Sequence, residues 1–356
     1  MSRAIQLALK GKGRTSPNPA VGAVIARNGK IIGEGWHKKA GKPHAEIEAL
    51  NSLATSAKGS TLYVTLEPCN HHGLTPPCAR AIVDAGIKEV VIGASDPSPK
   101  KGLKGAAWLK RHGVSVVEGV MREECERLIE DFAKHSVTGR PLVLLKSAIT
   151  LDGKISTQSN DSKWISCEKS RKVGHRLRNE YDAVMVGSDT VIYDDPQLTV
   201  RFGSPKRNPL RVVVDGKLRI PLDCNIVRTA AKIPTIVVTT NKADPEKIET
   251  LTRMGVDVIT ATERKSHVDL NWLMEELGRR NVMSVLLEGG GRFAGAAFDD
   301  GIVDRVIFFI AMKITGGDKC AISGEGVARM ADAWAVEDVR VDIIGDDLVV
   351  EGRVAR

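Results

Sequence analysis

The sequence predicts an α/β protein of two domains, and three observations support this prediction. Its 356 residues are enough for about two domains that each bury a core. Short apolar runs of strand type alternate with helical patterns on both sides of Gly139. Between the two halves, Ser136-Val137-Thr138-Gly139-Arg140-Pro141 reads as a helix end followed by Gly and Pro. We therefore expect domains at residues 1–138 and 141–356.

The first half predicts a mixed sheet that begins with a hairpin. Strands at 21–26 and 31–35 flank Asn28-Gly29, which is a strong signal for a two-residue turn. An amphipathic helix is predicted within residues 1–12, and another begins at Pro43-His44 because Pro suits the first helical position. The elements predicted after these are strand 61–66, helix 78–85, strand 90–92, helix 103–112, strand 114–117 and helix 123–135. A hairpin followed by strands that helices separate is typical of an α/β sandwich.

The second half also alternates between strands and helices. Strands are predicted at 142–148, 181–186, 210–214, 235–239, 256–259, 282–287 and 303–310. Helices are predicted at 170–179, 269–279 and 292–298, and a closing pair of strands within 339–350.

Composition limits the class of protein. Hydrophobic residues make up 42% and charged residues 27%, as in ordinary soluble domains. No apolar run approaches the ~18 residues of a membrane span, and residues 1–12 lack a cleavable signal pattern, so we expect a cytoplasmic protein. The six cysteines then stay reduced. The net charge of +8 suits a phosphorylated substrate, a dinucleotide or nucleic acid.

One pair of motifs predicts a metal-binding site. His44 and Glu46 stand two residues apart at a predicted helix start, and Cys69 and Cys78 each follow a proline. One imidazole and two thiols leave a fourth position open, as in catalytic zinc sites. His-x-Glu followed by two Pro-Cys pairs is the pattern of zinc deaminases. Bound zinc would lower the pKa of water towards ~7, and Glu46 would move the protons.

Two strands of the second half run into turns that contain glycine. One turn is Val186-Gly187-Ser188-Asp189-Thr190 and the other is Glu288-Gly289-Gly290-Gly291-Arg292-Phe293-Ala294-Gly295. A glycine turn before a helix exposes backbone N–H groups that suit a pyrophosphate. The second turn is not Gly-x-Gly-x-x-Gly, and the alternative is that both turns are only tight connections.

The region between the cysteines resembles a known family. Eight residues separate Cys69 from Cys78, and Pro68-Cys69-Asn70-His71-His72-Gly73-Leu74-Thr75-Pro76-Pro77-Cys78 is similar to the signature of the bifunctional riboflavin-biosynthesis deaminase–reductases. Pro17-Asn18-Pro19-Ala20-Val21-Gly22 and Gly33-Glu34-Gly35-Trp36-His37 resemble the same family. The resemblance implies a cytidine-deaminase-like three-layer α/β/α fold and a pyrimidine substrate that carries a ribosyl phosphate. It also implies substrate contacts from Asn18, His37 and Thr75, while Leu74 stands where the family has Lys or Arg.

The second half resembles the reductase part of this family. The matching segments are Leu151-Asp152-Gly153-Lys154, Trp164-Ile165-Ser166, Asp194-Asp195-Pro196-Gln197-Leu198-Thr199-Val200-Arg201 and Glu288-Gly289-Gly290. They imply a dihydrofolate-reductase-like α/β fold that uses NADPH. The implied cofactor contacts are Ala148, Trp164, Thr190, Asp194, Gly216, Gly290, Gly291, Arg292, Phe293, Ala294, Gly295 and Ala296. The implied substrate contacts are Ser162, Arg178, Leu198, Arg201 and Glu288. Arginine suits phosphate because its guanidinium group binds two oxygens at once.

Three functions fit these features to different degrees. The first is a two-site enzyme that deaminates 2,5-diamino-6-(5-phosphoribosylamino)pyrimidin-4(3H)-one and then reduces the ribosyl chain to ribityl with NADPH. The second is a nucleic-acid (transfer RNA) base deaminase with a C-terminal binding domain, which an aromatic content of only 4% disfavours. The third is a binding protein whose fold is stabilised by a structural zinc ion, which the lack of a fourth protein ligand disfavours. We expect a homo-oligomer that binds a small phosphorylated pyrimidine and neither nucleic acid nor membrane.

Overall fold

The structure is a computed structural model that describes residues 1–70, 76–99, 104–203 and 207–355. It divides into two units, Met1–Arg140 and Pro141–Arg356. None of the described helices is long and apolar enough to span a bilayer. The predicted α/β class is confirmed in both units.

The first unit contains one mixed sheet of five strands. Its elements are α1 (Ser2–Leu9), β1 (Gly22–Arg27), β2 (Lys30–Trp36), α2 (Ala45–Asn51), β3 (Thr61–Leu66), α3 (Cys78–Asp84), β4 (Glu89–Ala94), α4 (Gly105–Arg111), β5 (Ser115–Glu118), α5 (Arg122–Leu128) and α6 (Glu130–Thr138). The strand order is β2-β1-β3-β4-β5, with β1 antiparallel to both neighbours and β3, β4 and β5 parallel. Asn28 and Gly29 both have positive φ angles of 50° and 73°, so the predicted hairpin turn is confirmed.

Helices cover both faces of this sheet. Apolar residues of α2, α3 and α4 form one core with the inward residues of β1, β3 and β4. On the other face, Ala4 and Leu7 of α1 pack against Val24. Helix α2 approaches the sheet closely because Gly35 has no side chain: a Cβ there would lie 2.3 Å from the nitrogen of Ala49. This close approach fixes the start of α2, which is also the start of the predicted metal motif.

The single helix predicted at 123–135 is wrong. The chain forms two helices, α5 and α6, and Ile129 between them leaves the helical conformation with φ −114° and ψ 13°. Ile129 is 2% exposed and belongs to the core of the unit. Tertiary packing of this side chain, rather than a breaker residue, turns the chain here.

The second unit is built on a nine-stranded sheet. The strands of the unit, of which β11 and β12 lie outside this sheet, are β6 (Leu142–Thr150), β7 (Ala183–Gly187), β8 (Leu210–Val214), β9 (Thr235–Thr239), β10 (Asp257–Thr260), β11 (Glu263–Arg264), β12 (His267–Val268), β13 (Ser284–Leu287), β14 (Arg305–Ala311), β15 (Val336–Ile344) and β16 (Asp347–Val354). Its helices are α7 (Glu168–Glu180), α8 (Ser188–Asp194), α9 (Asn225–Arg228), α10 (Pro245–Arg253), α11 (Leu270–Arg279), α12 (Gly291–Asp299) and a short 3-10 turn at Met330–Asp332.

The large sheet has the order β10-β9-β8-β7-β13-β6-β14-β16-β15, and β11 and β12 form a separate hairpin. The seven strands from β10 to β14 run parallel, whereas β16 is antiparallel to both β14 and β15. The sequence did not predict α8, α9 and α10. Strands β7 and β13 are neighbours, so the turns that follow them meet at one edge of the sheet.

Candidate active sites

The structure brings His44, Cys69 and Cys78 together. His44 is the residue that caps the start of α2, and Cys78 is the first residue of α3. The Nδ1 atom of His44 lies 3.6 Å from Sγ of Cys69 and 3.3 Å from Sγ of Cys78. All three ligand atoms lie within 4.8 Å of one another. Cys69 is also fixed to α3, because its Sγ and its carbonyl oxygen accept hydrogen bonds from the first two backbone N–H groups of that helix.

Glu46 lies buried beside this cluster, with 4% of its surface exposed. Burial, and then the negative charge of Cys69, raise the pKa of Glu46 to about 7. A hydrogen bond from Cys78 lowers the pKa of Cys69 to about 4, while the pKa of Cys78 is raised. The cluster therefore combines a thiolate, an imidazole and a carboxyl group that can carry a proton near neutral pH.

His37 and Asn18 form one hydrogen-bonded unit at the edge of the cluster. The Nδ2 group of Asn18 donates to Nε2 of His37 at 3.1 Å, so the Nδ1–H of His37 donates to the carbonyl oxygen of Pro43 at 3.0 Å. The His37 ring packs edge-on against the His44 ring at 5.4 Å between centroids. Both ring nitrogens of His37 thus make hydrogen bonds within the protein, and the predicted substrate contact from His37 stays a prediction.

A pocket opens onto these residues. Its lining is Asn18, Pro19, Val21, His37, His44, Glu46, Leu66, Glu67, Cys69, Asp96 and Phe132. Sequence reasoning missed Glu67, Asp96 and Phe132. A usable signal was present for the first two, because they follow the neighbouring parallel strands β3 and β4 at their carboxyl ends.

Glu67 is 6% exposed and holds the pocket wall in place. Its Oε1 accepts a hydrogen bond from the backbone N–H of Ala106 at 3.0 Å, and its Oε2 accepts one from Asp96 at 3.1 Å. One carboxylate thus ties the start of α4 to the turn after β4. Thr75, predicted to contact the substrate, and Leu74 lie outside the described residues.

The second unit contains a buried ion pair between two predicted substrate residues. Arg178 donates from Nε to Oε1 of Glu288 at 2.8 Å and from Nη2 to Oε2 at 2.6 Å. The side chains are 16% and 9% exposed. Burial alone would raise the pKa of Glu288, but the charge and hydrogen bonds of Arg178 lower the pKa to about 2. Arg178 also donates to the carbonyl oxygen of Thr199 at 3.3 Å, so its guanidinium group is not presented to a phosphate as expected.

Lys146 and His175 complete this cluster, and sequence reasoning missed both. Desolvation lowers the pKa of the Lys146 ammonium group, which the charge of Glu288 partly restores. Burial and the charges of Arg178 and Arg201 lower the pKa of His175 to about 4, so its ring is neutral. The signal for Lys146 was a lone charged residue within the apolar run 142–148.

Arg201 differs from Arg178 because it is exposed. Its guanidinium group makes no hydrogen bond to any described residue, while its backbone N–H lies 3.3 Å from Nδ1 of His175. Leu198 is 2% exposed and its side chain packs in a core cluster. The predicted substrate contact from Leu198 stays a prediction, and its φ of 53° lies in the left-handed region.

The predicted cofactor turns lie next to each other. Gly290 caps the start of α12, and a Cβ there would lie 3.9 Å from Oγ1 of Thr190 in α8. Arg292 is exposed and Phe293 and Ala296 are half-buried, whereas Ala294 and Gly295 are buried on the core side of α12. The predicted cofactor contacts from the turn Gly290 to Ala296 stay a prediction, and burial leaves little surface for such a contact at Ala294 and Gly295.

Other predicted residues border the same edge of the sheet. Ser162 donates to Oδ1 of Asp194 at 3.2 Å, which joins two of the predicted contacts. Trp164 is 60% exposed, and the Arg171 guanidinium lies 4.6 Å from the centre of its ring. Gly216 and Ala148 are half-buried at the carboxyl ends of β8 and β6.

Asp189 stands beside a cation. Arg219 donates from Nη2 to Oγ of Ser188 at 2.6 Å and to Oδ1 of Asp189 at 2.8 Å. The carboxylate of Asp189 is therefore paired, and it does not leave an unbalanced negative charge at this turn.

The fold and the two clusters define a class of protein. A three-layer unit with a His–Cys–Cys set and a buried carboxyl group is joined in one chain to a parallel-sheet unit with glycine turns at its strand ends. This is the arrangement of a two-site deaminase–reductase. Residues 1–94 match the cytidine and deoxycytidylate deaminase zinc-binding region, and residues 141–350 match the RibD C-terminal domain.

Whole proteins match as well. The chain is 45% identical over 353 residues to riboflavin biosynthesis protein RibD of Actinobacillus pleuropneumoniae. The alignment covers 99% of this chain and 93% of the relative. The solved structure of a diaminohydroxyphosphoribosylaminopyrimidine deaminase/5-amino-6-(5-phosphoribosylamino)uracil reductase from Thermotoga maritima is 38% identical. It matches with a TM-score of 0.86 and covers 100% of this chain and 97% of that one. The chain belongs to the RibD family of bifunctional deaminase–reductases of riboflavin biosynthesis. A transfer RNA deaminase is not favoured.

Proposed function

We propose that His44, Cys69 and Cys78 bind one zinc ion and that Glu46 moves protons in a hydrolytic deamination. The observation that carries this proposal is the close approach of one imidazole nitrogen and two sulfur atoms beside a buried carboxyl group. Ideal tetrahedral zinc bonds to nitrogen and sulfur imply a separation of about 3.6 Å between those ligand atoms. The distances of 3.6 and 3.3 Å from His44 to the cysteines fit this value.

Several residues around the site would take part in the deamination, each with a different role. Bound zinc supplies the Lewis acidity that brings the pKa of a water molecule towards ~7. Glu46 would take one proton from water and pass it to the ring, and it would then carry a second proton, from the hydroxyl group added to the ring, to the leaving amine. Asn18, which lines the pocket and is hydrogen-bonded to His37, would hold an edge of the base. The products are a ring carbonyl and ammonia.

The proposed substrate is 2,5-diamino-6-(5-phosphoribosylamino)pyrimidin-4(3H)-one. The Thermotoga maritima protein is described as a deaminase of this class of compound, and the similarity extends over the whole chain. Residues 1–138 would carry the deamination and residues 141–356 the reduction. The net charge of +8 is compatible with a phosphorylated substrate.

The proposed second reaction transfers hydride from NADPH to the ribosyl chain. The turn at Gly290 and Gly291, with Thr190 beside it, offers backbone N–H groups for the pyrophosphate at the start of α12. Trp164, Asp194 and Ala148 border the same edge. We propose the exposed Arg201 as the phosphate ligand of the substrate.

Reduction of a carbonyl group also needs a proton. The described cluster contains one ammonium group that is desolvated, on Nζ of Lys146, and its lowered pKa makes it a better acid than an exposed lysine. Glu288 and Arg178 hold opposite charges beside it and would orient the hydroxyl groups of the ribosyl chain. We propose Lys146 as the source of this proton.

One experiment tests both reactions in the full chain. Purified protein is given the diaminopyrimidine with and without NADPH, and ammonia release and the near-ultraviolet absorbance of NADPH are followed together. We expect ammonia in both cases and loss of NADPH absorbance only after deamination. No ammonia from a zinc-loaded sample contradicts the first reaction. Constant NADPH absorbance with deaminated substrate contradicts the second.

A further inference from the structure

Arg201, the proposed phosphate ligand of the reductase, lies in the connection between α8 and β8. The described residues of this connection, 195–203 and 207–209, belong to no helix or strand. The guanidinium group of Arg201 is exposed and makes no hydrogen bond to a described residue. A mobile arginine loses conformational entropy when it binds a phosphate, so its affinity depends on how firmly its backbone is held.

One side chain of α7, His175, contacts this connection at three neighbouring positions. Its Nδ1 atom lies 3.1 Å from the carbonyl oxygen of Thr199 and 3.3 Å from the backbone nitrogen of Arg201. Its ring packs edge-on against Phe202, with 4.9 Å between the ring centroids and 77° between the ring planes. His175 is only 5% exposed, so water competes little for these contacts. One buried ring therefore holds the chain on both sides of Arg201.

The hydrogen bonds around His175 assign the ring nitrogen that carries the proton. A neutral imidazole has one N–H and one acceptor nitrogen, so Nδ1 cannot serve Thr199 and Arg201 at the same time. The carbonyl oxygen of Thr199 also accepts from Nη1 of Arg178 at 3.3 Å. The backbone N–H of Arg201 has no other acceptor among the described residues. The tautomer with its proton on Nε2 satisfies both groups, with Nδ1 as the acceptor for Arg201.

The surrounding charges keep the His175 ring neutral. Arg178 and Arg201 lie near the ring, and Glu288 is the carboxylate that faces both arginines. Burial, followed by the charges of the two arginines, lowers the pKa of His175 to about 4. An imidazolium has two N–H groups and no acceptor, so only the neutral ring can accept a hydrogen bond from Arg201.

Helix α7 has its own anchor in the sheet, separate from His175. Val173 and Leu177 of this helix pack against a core cluster that includes Leu286 and Phe309. Removal of the His175 ring would therefore release the connection while α7 stays in place.

We propose that His175 is a positioning residue of the reductase, which holds the backbone of Arg201 so that the guanidinium group meets the phosphate of the pyrimidine substrate. This role rests on the proposed function, in which Arg201 binds that phosphate. His175 touches no reacting atom and acts through Arg201. Its contribution is to substrate affinity, because an arginine on a fixed backbone is already arranged for a contact with two phosphate oxygens.

The test measures NADPH oxidation by full-length variants with two substrates. One substrate is the deaminated pyrimidine with its phosphate, and the other is the same compound without the phosphate. His175→Leu keeps an apolar side chain of similar size and removes the acceptor. We expect its KM for the phosphorylated substrate to rise on the order of 10-fold, with little change in kcat. Its KM for the phosphate-free substrate should equal that of the wild type.

Two further variants of α7 provide the rescue and the control. His175→Asn is the conservative variant, since Oδ1 of asparagine can take the place of Nδ1 and accept from Arg201. We expect it to restore most of the affinity for the phosphorylated substrate. Arg176→Ala is the control, because 66% of the Arg176 side chain is exposed and it pairs with Glu180 on the same helix. This variant should behave as the wild type with both substrates.

A double variant shows whether His175 acts through Arg201. Arg201→Leu alone should raise the KM for the phosphorylated substrate at least as much as His175→Leu does. The two changes together should raise it no further, because the same contact is lost in both. Additive effects overturn the proposal, and so does a KM increase in His175→Leu that is equal for the two substrates.

Hydrogen exchange gives a readout that does not need catalysis. Loss of the acceptor should speed exchange of the backbone N–H of Arg201 in His175→Leu but not in His175→Asn. Unchanged exchange in His175→Leu overturns the proposal. If Arg201→Leu leaves the KM unchanged, Arg201 is not the phosphate ligand and the role of His175 falls with it. If the wild type never oxidises NADPH, the proposed reductase function is wrong, and the affinities for the two pyrimidines, measured by calorimetry, still decide the role of His175.

Discussion

Replacement of Glu288 by glutamine should weaken the second unit measurably. Glu288 accepts two hydrogen bonds from Arg178, at 2.8 and 2.6 Å, in a site where its side chain is 9% exposed. Its pKa is lowered from 4.5 to about 2 despite burial, which would raise it. At 1.36 kcal/mol per pKa unit, the folded state favours the charged carboxylate by about 3 kcal/mol. Loss of one partner of a buried ion pair typically costs about 3–5 kcal/mol, so both arguments agree.

The sign of the pH dependence follows from the lowered pKa. The stabilisation is present in full above the unfolded pKa of 4.5 and is lost as the pH falls from 4.5 towards 2. The wild type should therefore lose its advantage over Glu288→Gln in this acidic window and keep it at neutral pH. The measurement is urea unfolding of the full chain at several pH values, read by hydrogen exchange of peptides from β13.

A surface ion pair provides the control. Arg329 and Asp332 are three residues apart with 75% and 43% of their side chains exposed, so Asp332→Asn should leave the urea midpoint unchanged. Equal midpoints for Glu288→Gln and the wild type at neutral pH would refute the buried ion pair as a source of stability. A difference between them that persists unchanged at pH 2 would refute the linkage argument.

Three further predictions concern the two sites. Glu46→Gln should retain zinc, measured by metal analysis, but release ammonia about 100-fold or more slowly, while the control Glu48→Gln on the same helix keeps its activity. A zinc-loaded Glu46→Gln enzyme with wild-type turnover would contradict the role of Glu46 in proton transfer. Each carboxylate oxygen of Glu67 accepts a hydrogen bond from one backbone N–H group, and Glu67→Gln removes one of these two acceptors. The variant should have a raised KM for deamination at constant zinc content. An unchanged KM would argue against a role of Glu67 in the pocket wall. Gly291→Ala places a Cβ 2.1 Å from a backbone oxygen and should cost about 1–3 kcal/mol in thermal unfolding, whereas Gly290→Ala, with no protein neighbour closer than 3.9 Å, should leave the Tm unchanged. Equal Tm values for the two variants would contradict the packing argument.

Much of the fold was readable because local patterns agreed with the final packing. Strands 61–66, 210–214 and 235–239 have the predicted bounds, since each is a short apolar run with clear breaks on both sides. The prediction failed where a buried contact decided the local structure. Ile129 interrupts a helix that its periodicity would continue, because this side chain belongs to the core.

In the candidate sites, too, local sequence patterns predicted some residues, and contacts between distant segments decided the others. The proposed zinc ligands could be picked out from the sequence because their residue types and spacing are typical of metal sites. Glu67 and Lys146 were missed although each carried a weak signal in its own segment, because their roles depend on neighbours distant in sequence, Ala106 and Glu288. Arg178 was expected to bind phosphate, but its guanidinium is occupied by Glu288, 110 residues away.

The sequence by itself indicated the α/β class and a candidate metal-binding set of His44, Cys69 and Cys78, and its motifs resembled those of a family with two catalytic halves. These depend on residue type, spacing and periodicity, which are local properties of the chain. Only the tertiary structure decided which arginine is free, which carboxylate supports the pocket and which histidine contacts the backbone of Arg201. Such properties arise when distant segments meet, because burial and pairing change the charge, the pKa and the accessibility of a side chain without changing its sequence.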